Sequence, residues 1–140
     1  MTRIYTVGYG GRTPTAFIDL LRAHAVPLLV DVRLRPDRAH LAPFALARSP
    51  DKGIERLLAD AGIGYRSLVE LGNPFVGLDD GPDRYRRLFA AAGDVLVERL
   101  TEIEPPYALL CAEKRPEDCH RRLIAEHLIH ARGFELVHLV

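Results

Sequence analysis

The sequence predicts a three-layer α/β sandwich, a mostly parallel five-stranded sheet flanked by helices. Strand-like apolar segments alternate with segments of helical period along the whole chain. Two of the strand segments are continuous apolar runs suited to burial on both faces, as in a parallel sheet. The intervening stretches are long enough for crossover helices, which impose parallel pairing of right-handed sense. At 140 residues the chain has the length of one domain, with no internal repeat and no linker, so a single domain over 1–140 is expected.

Arg3 to Val7 is rich in β-formers and runs into the turn Gly8-Tyr9-Gly10-Gly11, which marks strand one. Thr13-Pro14 supplies an N-cap and a proline at the first helical position, and Phe17, Leu20, Leu21 and His24 share one face of a helix over 14–24. Pro27 to Val32 is the first continuous apolar run and the second strand. From 33 to 50, four arginines and three prolines break any period, which predicts a long irregular loop over the surface. Ile54, Leu57, Leu58 and Ala61 restore the helical spacing, Gly62 stops it, and Tyr65 to Val69 reads as strand three.

The stretch 70–82 has the composition of an ordered loop, and Tyr85, Leu88, Phe89, Ala92 and Leu96 then define a helix weakened by Gly93. Pro105-Pro106 stops it ahead of a buried fourth strand, Tyr107 to Cys111. Arg115-Pro116 opens the last helix, Gly133 ends it, and Leu136 to Val140 closes the sheet.

Hydrophobic residues make up 48% and charged residues 27% of the chain, which excludes disordered and fibrous classes. Nineteen basic and nineteen acidic residues cancel, so no bulk field pulls the protein onto nucleic acid or an anionic membrane, and any anion site must be local. No apolar run approaches the roughly 20 residues that span a bilayer, and the start of the chain has no signal-peptide pattern. A cytoplasmic location is expected, with no membrane partner. Of the basic residues 17 are arginine and only Lys52 and Lys114 are lysine, a bias that suits bidentate anion recognition and equally follows from a GC-rich genome. Two cysteines, Cys111 and Cys119, exclude a disulfide framework; reduced thiols are the default, although one bridge is compatible with their separation.

In open α/β sheets the ligand crevice lies outside the carboxyl ends of the strands. That rule gathers four segments. Gly8, Tyr9, Gly10 and Arg12 follow strand one, where glycines let backbone N–H groups approach an anion; the pattern is neither a dinucleotide fingerprint nor a Walker loop, and a plain tight turn explains it as well. Asp31 and Arg33 end strand two, with a local charge of +3 between Arg33 and Arg48. Asp31 there is either a base or one half of a structural pair with Arg33. Glu70 follows strand three.

After strand four come Cys111, Glu113, Lys114, Arg115, Cys119, His120 and Arg121. Cations and a helix N-terminus beside Cys111 favour a thiolate, whereas Glu117 and Asp118 oppose one at Cys119. Burial as an ordinary core cysteine is the competing account of Cys111. The Cys111–Arg115 spacing is not that of a phosphatase loop. Neighbouring helical side chains diverge by about 100°, so Cys119 and His120 do not form paired metal ligands. No metal site is assigned and no cofactor is expected. Glu70 and Glu113 could meet across the crevice as acid and base, or each pair with an arginine. Among the histidines His120 alone joins the site; His127 is expected in the core, His24 and His40 at the surface.

Thr6-Val-Gly-Tyr-Gly10 with Arg12, Leu29-Val-Asp-Val-Arg33, Glu70-Leu-Gly72, Leu110-Cys-Ala-Glu113, Pro116 and Cys119-His-Arg121 together resemble one prokaryotic family, domain of unknown function 488, over essentially the whole chain. The chain departs from it at Gly72-Asn73-Pro74, where many members carry two glycines. The resemblance implies a compact cytoplasmic α/β protein with a polar pocket built from these segments, and it implies no particular reaction.

The residues thus point to a small enzyme acting on an anionic, phosphate-bearing substrate such as a nucleotide or nucleic-acid component. Asp31, Glu113, Cys111, Cys119 and His120 are the catalytic candidates. Gly8, Tyr9, Gly10, Arg12, Arg33, Glu70 and Arg121 are the substrate-binding candidates. Two alternatives carry other signatures: thiol or sulfur-transfer chemistry at Cys111 with Cys119 as resolving partner, and a non-enzymatic nucleic-acid module using Arg33, Arg35, Arg38 and Arg48.

Overall fold

The computed structural model describes residues 2–39, 41–75, 77–111 and 120–140. Arg3–Gly8 forms strand β1, Pro14–Ala23 helix α1, Leu28–Asp31 β2, Gly53–Asp60 α2 and Gly64–Ser67 β3. Gly81–Leu96 forms α3, Glu98–Thr101 the short α4, Ala108–Cys111 β4, Arg121–Arg132 α5 and Glu135–Leu139 β5. The strands lie in the order β3-β2-β4-β1-β5, and every pairing is parallel. The α/β prediction is therefore met, with a sheet that is parallel throughout.

Strand alternation splits the core in two. Tyr5, Val7, Leu29, Ala108 and Leu110 pack with Phe17 and Leu21 of α1 and Ile54 and Leu58 of α2. Ile4, Val30 and Leu109 pack on the other face with Tyr85 and Phe89 of α3, Leu100 of α4 and Ile124 and Leu128 of α5. The register explains the split, since Tyr5 and Leu29 both stand opposite Ala108, one residue before the positions that face the other way.

The two cores also fix where the connections go. Chains leaving β1 and β2 turn to the α1/α2 face, and the chain leaving β4 returns through α5 on the opposite face. Because β4 lies between β2 and β1, neighbouring strands send their loops apart on both sides of it. Crevices at carboxyl ends of strands form at such points.

Local differences from the sequence expectation have physical causes. Strand three ends at Ser67, because Leu71 N and Gly72 N bond back to Leu68 O and Val69 O at 3.1 and 2.9 Å, tightening Val69–Leu71 into a 3-10 turn. The loop over 33–50 is not merely a surface excursion: Ala42–Phe44 is a 3-10 turn whose Phe44 is wholly buried, stacked on Tyr9 at 4.8 Å and edge-on to Phe17 at 5.2 Å. Helix α3 ends before the prolines and is followed by α4. Gly93 is a contact position, since a Cβ there would sit 3.0 Å from His127 Cε1 of α5 and 3.1 Å from Phe89 Cδ1. The described part of the last helix begins at Arg121; the expected opening at Arg115-Pro116 lies outside the described residues. His127 pairs with Asp94 at 3.0 Å, at the α3–α5 seam. No helix is long and apolar enough to cross a membrane among the described residues.

Candidate functional site

Asp31, the last residue of β2, is completely buried. Its Oδ1 accepts from the backbone N–H of Arg33 at 3.0 Å and from Arg33 Nε at 2.8 Å. Its Oδ2 accepts from Arg33 Nη2 at 2.6 Å and from the Tyr65 hydroxyl at 2.6 Å. Tyr65 reaches it because β3 pairs beside β2 and sets Ser67 opposite Asp31, with Tyr65 two residues earlier on the same face. A carboxylate offers about four acceptor directions, and four donors occupy them here. The expected base Asp31 therefore has no acceptor site left for a substrate proton, and its geometry is that of an anchor.

Arg33 is only 5% exposed. Its remaining terminal nitrogen, Nη1, donates to Phe44 O at 2.7 Å, and its guanidinium carbon lies 5.3 Å from the Tyr9 ring centroid. All three guanidinium nitrogens thus donate within the chain. Burial opposes the charge of Arg33, but hydrogen bonding and proximity to Asp31 outweigh it and raise its pKa above the ordinary arginine value. Burial, then Asp31, pushes the Tyr65 hydroxyl pKa well up, which keeps it a donor.

Val32 joins this cluster to the fourth strand. Its N–H donates to Leu110 O at 3.1 Å, and its carbonyl accepts from His120 Nε2 at 2.8 Å. Leu110 of β4 and His120 ahead of α5 are therefore both bonded to one residue of the β2 exit. Glu113 and Cys119 themselves, and the Cys111 side chain, lie outside the described residues; the Cys111 backbone stands opposite Gly8 at the end of the sheet.

His120 is held edge-on to Tyr85, with ring centroids 5.1 Å apart, and Tyr85 is in turn fixed by its hydroxyl on Leu71 O at 2.7 Å. Burial lowers the His120 pKa below the ordinary imidazole value; Arg121 adds to that, while the Val32 bond and Asp31 work against it. The neutral ring must carry its proton on Nε2 to donate to Val32, an assignment made from the hydrogen bond. Arg121 follows it as the first residue of α5 and is completely buried.

On the other side of β4, the turn after β1 is closed by Arg12 N on Tyr9 O at 3.0 Å, with Gly11 at φ +70°. Arg12 donates from Nε to Gly8 O at 2.8 Å and from Nη2 to Leu139 O at 3.5 Å, so it lies across the ends of β1 and β5. Burial lowers its pKa from the ordinary value. Thr13 Oγ1 caps α1 by accepting from Ala16 N at 3.1 Å.

Glu70 is elsewhere. The 3-10 turn directs it to the outer edge of the sheet, where it pairs bidentately with Arg99 at 2.7 and 3.1 Å, and no hydrogen bond ties it to the Asp31 cluster among the described residues. Gly72, in the same connection, lies so close to the β2 exit that a Cβ would be 2.4 Å from Leu34 Cα. The structure thus gathers Asp31, Arg33, Tyr9, His120 and Arg121 at the rim, adds Gly8, Gly10 and Arg12 beside them, and separates Glu70. Sequence reasoning missed Tyr65, Phe44 and Tyr85. Neither Tyr65, whose reach to Asp31 depends on β3 pairing beside β2, nor Phe44, buried within a loop, gave a local signal. No group of three or more His, Cys, Asp or Glu is placed to hold a metal ion among the described residues.

Fold and site define an all-parallel α/β protein with a buried Asp31–Arg33–Tyr65 cluster and a buried His120 at the carboxyl ends of its central strands. The chain matches the family model described as domain of unknown function DUF488 over residues 13–128, and it belongs to that family. No curated protein and no solved structure matches it.

Proposed function

We propose that the protein is a small enzyme that binds an anionic, phosphate-bearing molecule, a nucleotide or nucleic-acid component, at the crevice beside β4. The observation that carries this reading is Arg12 laid across the ends of β1 and β5 beside the glycine turn, with His120 held on Val32 O on the other side of β4, between loops that part to opposite faces. Arg12 attracts the anion and N–H groups of the turn after β1 assist, with His120 and Arg121 on the far side of the crevice. Asp31, Arg33 and Tyr65 act as a fixed wall that holds Val32, and through it His120, in place. Glu113, Cys111 and Cys119 remain candidates for the bond-making step.

Calorimetry against a panel of mononucleotides and inorganic phosphate tests the reading. At least one is expected to bind, and Arg12→Ala, which removes one charge-assisted contact of roughly 1.5–3 kcal/mol, weakens it by about tenfold or more. Absence of binding across the panel overturns it.

A second reading, thiol chemistry, is favoured by the position of Cys111 as the last residue of β4, opposite Gly8. It requires an alkylation rate whose pH dependence reports a thiol pKa well under about 8.5. The nucleic-acid module loses a member, because Arg33 is buried and engaged rather than presented to solvent.

A further inference from the structure

Strand β3 is an outer strand of the sheet, and only one of its backbone edges is used by β2. Gly64 N donates to Pro27 O and Leu68 N to Asp31 O, both at 2.9 Å, so by strand alternation the peptide groups of Tyr65 and Ser67 point outward. Among the described residues the one side-chain bond to that outward edge comes from Arg99 Nη2, 3.4 Å from Ser67 O. Alongside runs an open groove of about 570 Å³. Leu28, Leu68 and Ile103 give it an apolar lining, and Arg66, Arg99, Glu102 and Glu104 supply its charges.

Arg99 is tied to Ser67 and Glu70, at the carboxyl end of β3. Glu102 and Glu104 lead into the start of β4, which is level with the start of β2. With Arg99 held by Glu70, Arg66 is the basic side chain of the lining set against Glu102 and Glu104 in the groove's charge balance.

We infer that this groove takes an extended peptide of a partner protein, added to β3 as a sixth strand. An acidic side chain of that peptide faces Arg66, a basic one faces Glu102 and Glu104, and aliphatic residues between them cover Leu28, Leu68 and Ile103. The backbone ladder supplies affinity and the alternate side chains supply selectivity. A second copy of the chain fits less well, because the two-fold register that uses both outward peptide groups sets Arg66 directly opposite its mate, and like charges in that position repel. Natural sheet edges are ordinarily blunted or covered, and Arg66 blunts this one against itself while leaving it open to an acidic partner. The groove lies off the β4 crevice, so the inference stands or falls separately from the proposed activity.

The test is selection of a displayed random heptapeptide library on the native protein, followed by anisotropy with the enriched, end-blocked peptides. Expected are sequences with aliphatic residues at alternate positions between one acidic and one basic end, slower amide exchange at Ser67 on binding, and a loss of about tenfold or more in Arg66→Glu. Arg66 is exposed, and retention of the wild-type circular dichroism spectrum by the variant separates lost contact from lost fold. A Glu104→Lys variant should prefer peptides whose basic end is replaced by an acidic one. Failure to enrich, or enriched peptides that bind Arg66→Glu and Glu104→Lys unchanged, overturns the inference. So does a sedimentation profile showing a dimer that Arg66→Glu dissolves, which would assign the edge to a second copy.

Discussion

Arginine pairs with aspartate at opposite extremes of this molecule. On α2, Arg56 and Asp60 lie 2.9 Å apart with side chains 58% and 63% exposed, while at the end of β2 Arg33 and Asp31 lie 2.6 Å apart with side chains 6% and 0% exposed. The first pair sits in water and is free to dissolve into it. The second has surrendered its hydration and is completed by Tyr65, Phe44 O and the Arg33 backbone N–H. Similar distances therefore carry different weight: the exposed pair contributes little, whereas the buried one depends on every member being present. The arginine content of the chain is therefore not itself a sign of function, and the rim of the sheet is where this protein has concentrated costly, organised charge.

Removing one member of each pair gives the largest and the smallest expected losses of stability. Asp31→Ala leaves Arg33 buried without its counter-ion and is expected to destabilise the fold by about 3–5 kcal/mol, read as a lower urea midpoint. A loss under about 1 kcal/mol, the range of exposed pairs, would erase the distinction. Gly72→Ala comes next. Its Cβ would meet backbone atoms of Leu34 at 2.4 to 2.5 Å, and forcing the β2 exit aside should cost about 1–3 kcal/mol by overpacking. An unchanged urea midpoint would show that the wall next to Arg33 yields without strain.

Burial at the rim also makes stability depend on pH through His120. Its folded pKa is depressed by burial, so below the ordinary imidazole pKa of about 6.5 the unfolded chain binds a proton that the native state resists. Stability is therefore expected to fall as pH drops from about 6.5 toward the lower folded value, by no more than about 1.4 kcal/mol per pH unit for one group. His120→Gln should flatten that part of a urea stability profile between pH 5 and 7.5, and an unaltered slope would remove burial of His120 as its cause. The smallest effect belongs to Arg56→Ala, about 0.3–0.5 kcal/mol for an i,i+4 helix pair. A urea midpoint shift equivalent to more than about 1.5 kcal/mol would mean that exposed pairs here carry the weight assigned to buried ones.

The strands were legible because their sequences are unambiguous: Pro27 to Val32 and Tyr107 to Cys111 are apolar on both alternations, and a parallel sheet covered on both faces demands that. A charged residue ending such a run, Asp31, marked the rim. Its partner Tyr65 was not legible, because the pairing of β3 with β2 is a matter of strand order that no local period encodes. Phe44 was hidden for a related reason: it is buried by the stacking of a loop on Tyr9, not by membership of an amphipathic element. Glu70 was placed in the crevice by the general rule for parallel sheets, and the 3-10 turn at Val69–Leu71 carries it to the outer edge instead. His120 was singled out by its neighbours in sequence, whereas its support by Tyr85 depends on α3 and α5 packing on one face.

Where an anion binds decides whether the ends of the central strands form a functional site. Titration of the isotopically labelled protein with the tightest-binding mononucleotide, followed by amide chemical shifts, should move Gly8 to Arg12, Val32 to Leu34 and His120 to Arg121 together and leave α2 still. Shifts confined to the α1–α2 surface, or none at saturating ligand, would contradict a phosphate-binding crevice beside β4.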